Sequence, residues 1–451
     1  MNISFEAKEK VNGLMTIVVE ESDFQADVEK TLKDMRRRAN VPGFRPGMAP
    51  MSMIKRQYGA SVKMDAINKV VGQELYKYIQ ENKIQMLGEP LPSAQQEPVD
   101  IEGAAPYTFK FDIAVAPEFN AELTANDTID YYNINIDDEL INRQVEMYAS
   151  RAGRYEKVET FEGNDMLKGD LRELDAEGNT LEGGITVEAA IMMPEYIKVD
   201  DQKKLFEGAK LGDIITFNPK KAYPENLGEL TSLLKISREQ AETLTSDFSY
   251  QITEISRFTK AEVGQELFDQ TYGKDAVKSE EEFRQRISDE LKPQLVNNSD
   301  FKFLLDVRKY LENKVGQLTY PDEILKRIMK QNNKDKADDY VEKNYEGSIR
   351  ELTWHLMKEQ LVAANEIKID DAEIMQAAKG MAATQFAQYG MNNVPEEYLE
   401  NYAKEMLKKD DSRQGIVDRA IDVKLTAALK SVVKLNEKSV SLDEFNKLMA
   451  E

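Results

Sequence analysis

Few side chains in this sequence could make or break bonds. There is no cysteine, which excludes disulfides, thiolate nucleophiles and cysteine metal sites and fits a reducing, cytosolic setting. The single histidine, His355, stands in the helical pattern Glu351–Lys358. One imidazole excludes a multi-histidine metal site, and its place on a helix face argues against a Ser-His-Asp triad. No Gly-x-x-x-x-Gly-Lys loop and no dinucleotide fingerprint occur, so no cofactor and no metal are expected. What remains is recognition chemistry, and it is densest in residues 41–50, Val-Pro-Gly-Phe-Arg-Pro-Gly-Met-Ala-Pro. Three prolines and two glycines in ten residues cannot continue a helix. At the centre sit Phe44, a large apolar ring, and Arg45, a fixed cation with five donors. Loop tips usually carry small polar residues, whereas an aromatic beside an arginine is the composition of an interface anchor.

The flanking charge points the same way. Between Lys30 and Lys63 lie nine basic residues, among them Arg36, Arg37 and Arg38, and one acid, Asp34, for a local charge of +8. The whole chain carries −22, so everything else carries −30. A basic tip on an acidic chain suits docking on a polyanion such as nucleic acid. The competing reading is an ordinary solvated charged hairpin.

Helical patterns on both sides must hold this loop. Phe24, Val28, Leu32, Met35 and Ala39 recur at three to four residues before it, and Met51, Ile54 and Tyr58 after it. The loop is therefore expected at the tip of a helical hairpin. Ser22 with Gln25 reads as a capping box for the first helix, and Ser61 as the start of a further helical stretch to about Asn82. Residues 1–20 alternate as strands around an Asn12-Gly13 turn, residues 88–106 are proline-rich and irregular, and Tyr107–Val115 alternates as another strand. These make a compact α+β domain over 1–115.

Gly43-Phe44-Arg45-x-Gly47-x-x-Pro50, followed by Ile54, Tyr58-Gly59 and a long helix, resembles the ribosome-docking signature of the trigger factor family of chaperones. The resemblance implies that Gly43, Phe44, Arg45 and Gly47 bind the large ribosomal subunit at the polypeptide tunnel exit, contacting a ribosomal protein and ribosomal RNA. Arg36, Arg37 and Arg38 would give electrostatic support. The family usually has a lysine after the arginine; here that position is Pro46, so one anion contact is lost.

The rest of the chain follows the same family order. Residues 116–152, with a strand at Ile129–Ile136 and a helix opened by Asp137, correspond to an arm packing with the C-terminal domain. Residues 153–258 turn glycine-rich and β-patterned, with strands flanking an Asp-Ala-Glu-Gly-Asn turn. They resemble the family's peptidyl-prolyl isomerase domain, of the FK506-binding-protein (FKBP) fold. Such an isomerase needs no nucleophile, only an apolar cradle that desolvates and twists the prolyl amide. Tyr223 is the one pocket position carried over, as a remnant. The stretch from Tyr196 to Lys204 is charged and lacks a Pro-Gly turn, so activity is expected to be weak or absent. Extra helical sequence at Ile236–Thr245 departs further from the family pattern. Residues 259–451 read as helical nearly throughout, with capping boxes at Ser279/Glu282, Asp370/Glu373 and Ser441/Glu444. Tyr320-Pro321-Asp-Glu reads as a helix start with proline in its first turn. Leu304, Val307, Leu311 and Val315 form one apolar stripe and Trp354, Met357 and Leu361 another. Met375, Met381, Phe386, Tyr389 and Met391 are scattered apolar residues that suit core packing or adaptable binding.

The expected fold is thus multidomain α+β: an α+β ribosome-binding domain, a β-rich FKBP-like domain and a large all-α chaperone domain with helical arms. The expected function is that of a ribosome-associated, ATP-independent chaperone for nascent or unfolded polypeptides. The alternative is an active prolyl isomerase with appended domains. No run of about 18 apolar residues and no signal peptide is seen, so a cytoplasmic protein without a membrane partner is expected. The absent signal and the basic loop argue against a periplasmic isomerase-chaperone. Confinement of the basic charge to one hairpin argues against a general RNA-binding protein. Homodimerisation of the free chain is left open.

Overall fold

The computed structural model describes residues 1–38, 44, 45, 47–391 and 394–450. The chain forms two compact units. One joins Met1–Tyr131 to Asp300–Lys438, and the other joins Tyr132–Ser299 to the residues from Ser439 on.

The first unit opens on β1 (Asn2–Lys8) and β2 (Asn12–Val19), an antiparallel pair with Lys8 opposite Asn12. Its turn is carried by Glu9 and Lys10 at φ 54° and 66°, not by Asn12-Gly13 as the sequence suggests. Gly13 instead lies within β2, where a Cβ would meet the Phe5 ring at 2.6 Å. It answers a close approach, not a turn. Met15, Ile17 and Val19 form the buried face of β2. Helix α1 (Glu21–Arg38) follows. Its entry is fixed by the Asp23 carboxylate, which accepts from Glu20 N–H at 2.8 Å, so the expected Ser22 cap is displaced. Helix α2 (Met51–Glu81) is one uninterrupted helix, and Ser61 falls inside it instead of starting a new one.

α1 and α2 pack antiparallel. Phe24 shares a core with Ala66, and Leu32 with Ile54 and Val62 nearer the tip. The other face of α2 covers the sheet, with Ile67, Val71, Leu75 and Ile79 against Met15, Ile17 and Ile113. Each such side chain contributes about 1.5–3 kcal/mol by its burial. β3 (Leu91–Pro92) and β4 (Tyr107–Ala114) complete a sheet of order β1-β2-β4-β3. β5 (Thr128–Ile134) ends this segment and enters the second unit at Tyr132.

In the second unit, α3 (Asp138–Arg151) is capped by Asp137, whose carboxylate accepts from Leu140 N–H at 2.8 Å. β6 (Arg154–Val158), β7 (Met166–Glu173) and β8 (Thr186–Met192) follow. The expected turn after β7 is held by the Asp175 carboxylate, which accepts from Glu177 N–H at 3.0 Å and Asn179 N–H at 2.8 Å. Then come α4 (Asp200–Lys203), β9 (Ile214–Phe217), α5 (Pro219–Ala222), α6 (Leu227–Leu234), α7 (Arg238–Thr243) and β10 (Phe248–Thr259). β10 is central, in the order β6-β10-β7-β8, with β9 also on β10. α8 (Gln265–Tyr272) and the start of α9 (Glu280–Val315) pack on α3 through Val145, Phe268, Phe283 and Ile287.

From Asp300 the chain belongs again to the first unit. α10 (Asp322–Asn332) begins after Pro321, which precedes the first turn instead of standing in it. α11 (Tyr340–Ala364), α12 (Asp371–Gln388), α13 (Glu396–Leu407) and α14 (Asp410–Val432) follow. The two expected stripes meet in one core, where Phe303, Val307 and Leu311 pack with Met357, Leu361, Leu425 and Leu429. β11 (Lys434–Val440) pairs with β5, a strand in a region read from sequence as helical nearly throughout. α15 (Leu442–Ala450) closes the description. The capping boxes at Asp370/Glu373 and Ser441/Glu444 are complete. That at Ser279 is half made, because Glu282 turns its carboxylate to Lys278 N–H.

Candidate docking site at the hairpin tip

The tip is built from the core outward. Ala49 is buried against Leu32, Ile54 and Val62, which fixes the base of the loop on both helices. The Arg45 carbonyl accepts from Met48 N–H at 2.9 Å, closing a four-residue turn. Gly47 in that turn has φ +82°, a left-handed conformation that favours glycine, and its open side faces the Arg37 backbone at 3.9 Å. A side chain there would strain the backbone. Above this base Phe44 is 39% exposed and Arg45 is exposed. Two sequence-derived site positions, Gly43 and Pro46, lie outside the described residues.

Arg36, Arg37 and Arg38 form the last turn of α1, where cations complement the carbonyl end of a helix. Arg37 and Arg38 are exposed and Arg36 is half-buried. Arg37 lies 3.4 Å from Asp34 and Lys33 lies 3.9 Å from Glu29, both exposed pairs worth little. Lys63, counted in the basic run, does not serve the tip. Its Nζ donates to the Gly103 carbonyl at 3.2 Å and sits 5.1 Å over the Tyr107 ring, pinning the domain internally. The basic surface is therefore smaller than the sequence count.

Tyr223 lies in the other unit, 2% exposed, in a core with Phe206, Phe217 and Tyr250. Among the described residues its hydroxyl has no hydrogen-bond partner, and burial, aided by Glu229, pushes its pKa up to about 12. Leu230, Leu233 and Leu234 of α6 and Ala241 of α7 fill the same core. The helical insertion expected at 236–245 reaches this interior through Ala241 and Leu244, while most of its other residues are exposed. Tyr196, by contrast, is 61% exposed.

Sequence reasoning missed two exposed thioethers at the tip, Met48 in the loop, where Phe44 and Arg45 drew the reading, and Met53, where methionine in a helical pattern reads as core. Of the scattered apolar residues on α12 and beyond, Met381, Tyr389 and Met391 are exposed. Nearby, Phe386, Tyr398, Tyr402 and Leu407 line an open groove of about 710 Å³. His355 makes an exposed pair with Glu359 at 3.3 Å. Among the described residues no cluster of three His, Cys, Asp or Glu could hold a metal, and no helix is long and apolar enough to cross a membrane.

Comparison with known proteins follows this layout. Family models described as bacterial trigger factor protein, as the FKBP-like domain of probable trigger factor and as the C-terminal domain of probable trigger factor match residues 1–148, 155–260 and 299–449. A trigger factor of Stutzerimonas stutzeri is 25% identical over 455 residues, covering 98% of each chain. One of Ectopseudomonas mendocina is 25% identical over 458 residues, again 98% of each. A solved structure described as "Promiscuous Substrate Recognition in Folding and Assembly Activities of the Trigger Factor Chaperone" aligns over 95% of this chain and all of that one, at 15% identity and a TM-score of 0.48. With three models of one family met in order along it, the chain belongs to the trigger factor family of ribosome-associated chaperones.

Proposed function

We propose that this chaperone docks at the tunnel exit of the large ribosomal subunit through Phe44 and Arg45, and shelters nascent polypeptides without nucleotide. The observation that carries the docking reading is the exposed aromatic–arginine pair on a turn anchored by buried Ala49, at the basic tip of an acidic chain. Gly47 would let the backbone make this turn, and Arg36, Arg37 and Arg38 would attract phosphate or carboxylate. We assign 1–115 to docking, 116–152 and 259–451 to client sheltering, and 153–258 to the isomerase-type domain. Exposed apolar side chains such as Met381, Tyr389, Met391 and Tyr398 suit weak, dispersed client binding. The working site is the cytoplasm, and sedimentation of the free chain answers whether it forms a homodimer.

The test is co-sedimentation with ribosomes. Phe44→Ala with Arg45→Ala should leave the ribosomal fraction while its circular dichroism and melting match wild type. Pelleting at the wild-type level would refute the assignment. We assign little or no prolyl isomerisation to 153–258, since Tyr223 is enclosed in a core that the domain's own aromatics and leucines fill. Exchange on a prolyl peptide at the rate of an efficient isomerase would overturn that.

A further inference from the structure

Phe44 is not the main apolar surface of the tip. Met48 is 67% exposed and Met53 42%, both more than Phe44. Met48 closes the turn onto Arg45, so Phe44, Arg45 and Met48 are held in one short piece of chain. Met53 lies in the first turn of α2, three residues before exposed Arg56 and therefore on the same helical face. The other methionines of the hairpin end, Met35 and Met51, pack inward beside Leu32 and Ile54. A tip that exposes three large apolar side chains without a partner would promote aggregation. Flanking Arg45, Lys55 and Arg56 select an apolar partner surface rimmed by acids, which is protein and not the phosphate face of RNA.

We propose that Met48 and Met53 form the apolar part of the docking surface against a ribosomal protein, and that their thioethers make docking sensitive to peroxide. The proposal rests on the docking reading above. In the reaction the sulfur lone pair takes one oxygen from hydrogen peroxide. The S–O bond forms, the O–O bond breaks, and the departing hydroxide gains a proton to leave as water. Sulfur is oxidised by two electrons and the peroxide reduced. The product is a polar sulfoxide that no longer fits an apolar contact. The chain has no cysteine, so no thiol competes for the oxidant.

The experiment uses the full chain and vacant ribosomes, with oxidant quenched before mixing. Met48→Gln with Met53→Gln should weaken binding about tenfold, a loss near 1.4 kcal/mol. Met48→Leu with Met53→Leu should bind as wild type does and keep binding after peroxide, while wild type loses it. Met64→Leu, a control for an exposed methionine farther along α2, should stay peroxide-sensitive. If the glutamine pair binds like wild type while Phe44→Ala with Arg45→Ala does not bind, this inference fails and the docking reading stands. If neither pair changes binding, the docking reading itself fails. Equal peroxide loss in the leucine pair would place the sensitive groups elsewhere. Equal weakening of the glutamine pair on protein-free ribosomal RNA would make RNA the partner. Either result overturns the proposal.

Discussion

Asp127 shows what a single side chain does here. Its Oδ1 accepts from Lys314 Nζ and from the Tyr310 hydroxyl, each at 2.8 Å, and its Oδ2 accepts from Thr124 N–H at 2.7 Å. Burial acts to raise its pKa, but these bonds prevail and hold it at about 2, below the ordinary 3.8. A carboxyl depressed in the folded state stabilises fully above its unfolded pKa. The contribution is therefore complete above about pH 4 and is lost as pH falls towards 2. Asp127→Asn should cost about 1–2 kcal/mol at pH 7 and flatten the acid limb between pH 4 and 2 in urea unfolding. Identical midpoints for variant and wild type at pH 7 would rule this out. Tyr223 has the opposite balance. Its unpartnered hydroxyl carries a desolvation cost, so Tyr223→Phe should leave stability unchanged or raise it by about 1 kcal/mol. A clear drop in melting temperature would show a bond that the structure lacks. The exposed place of Phe44 and Arg45 at the tip was legible from type and spacing, because they break the composition of an ordinary loop tip. The role of Asp127 was not, since two of its partners, Tyr310 and Lys314, lie more than 180 residues away.

Elements were legible where their signals are local. The hairpin, the stripes of α9 and α11, the Asp137 cap and the Asp175 turn follow from periodicity and side-chain chemistry a few residues apart. One misreading has its cause in a contact across strands. Asn12-Gly13 looks like a turn, but Gly13 is required by the Phe5 ring across the strand pair. Gly169 also answers a close approach across strands. A Cβ there would strike the Gln251 carbonyl oxygen and the Tyr250 ring, where β7 shifts register against β8 and β10. Gly169→Ala should therefore destabilise the unit containing β10 by at least about 2 kcal/mol, read as an earlier urea transition of that unit. An unshifted transition would mean that the strands part more easily than their pairing implies.

Charge is arranged at the scale of the whole molecule. A chain of −22 that carries a local +8 on one hairpin should bind ribosomes with affinity that falls steeply with salt. Charge reversal of Arg37 and Arg38 should flatten that dependence, measured as the slope of log affinity against log salt. An unchanged slope would show that these arginines do not face the polyanion. What no local pattern displayed is that one compact unit is assembled from Met1–Tyr131 and Asp300–Lys438. During synthesis this imposes a waiting time. Leu87, Leu91, Ala114 and Ala116 pack against Tyr320, Ile324 and Ile328, which reach the solvent only after the whole of 132–299 has been translated. At about 5–20 residues per second that interval is roughly 10–30 s. While it lasts, the newborn chaperone presents the same uncovered apolar surface as the nascent chains it serves.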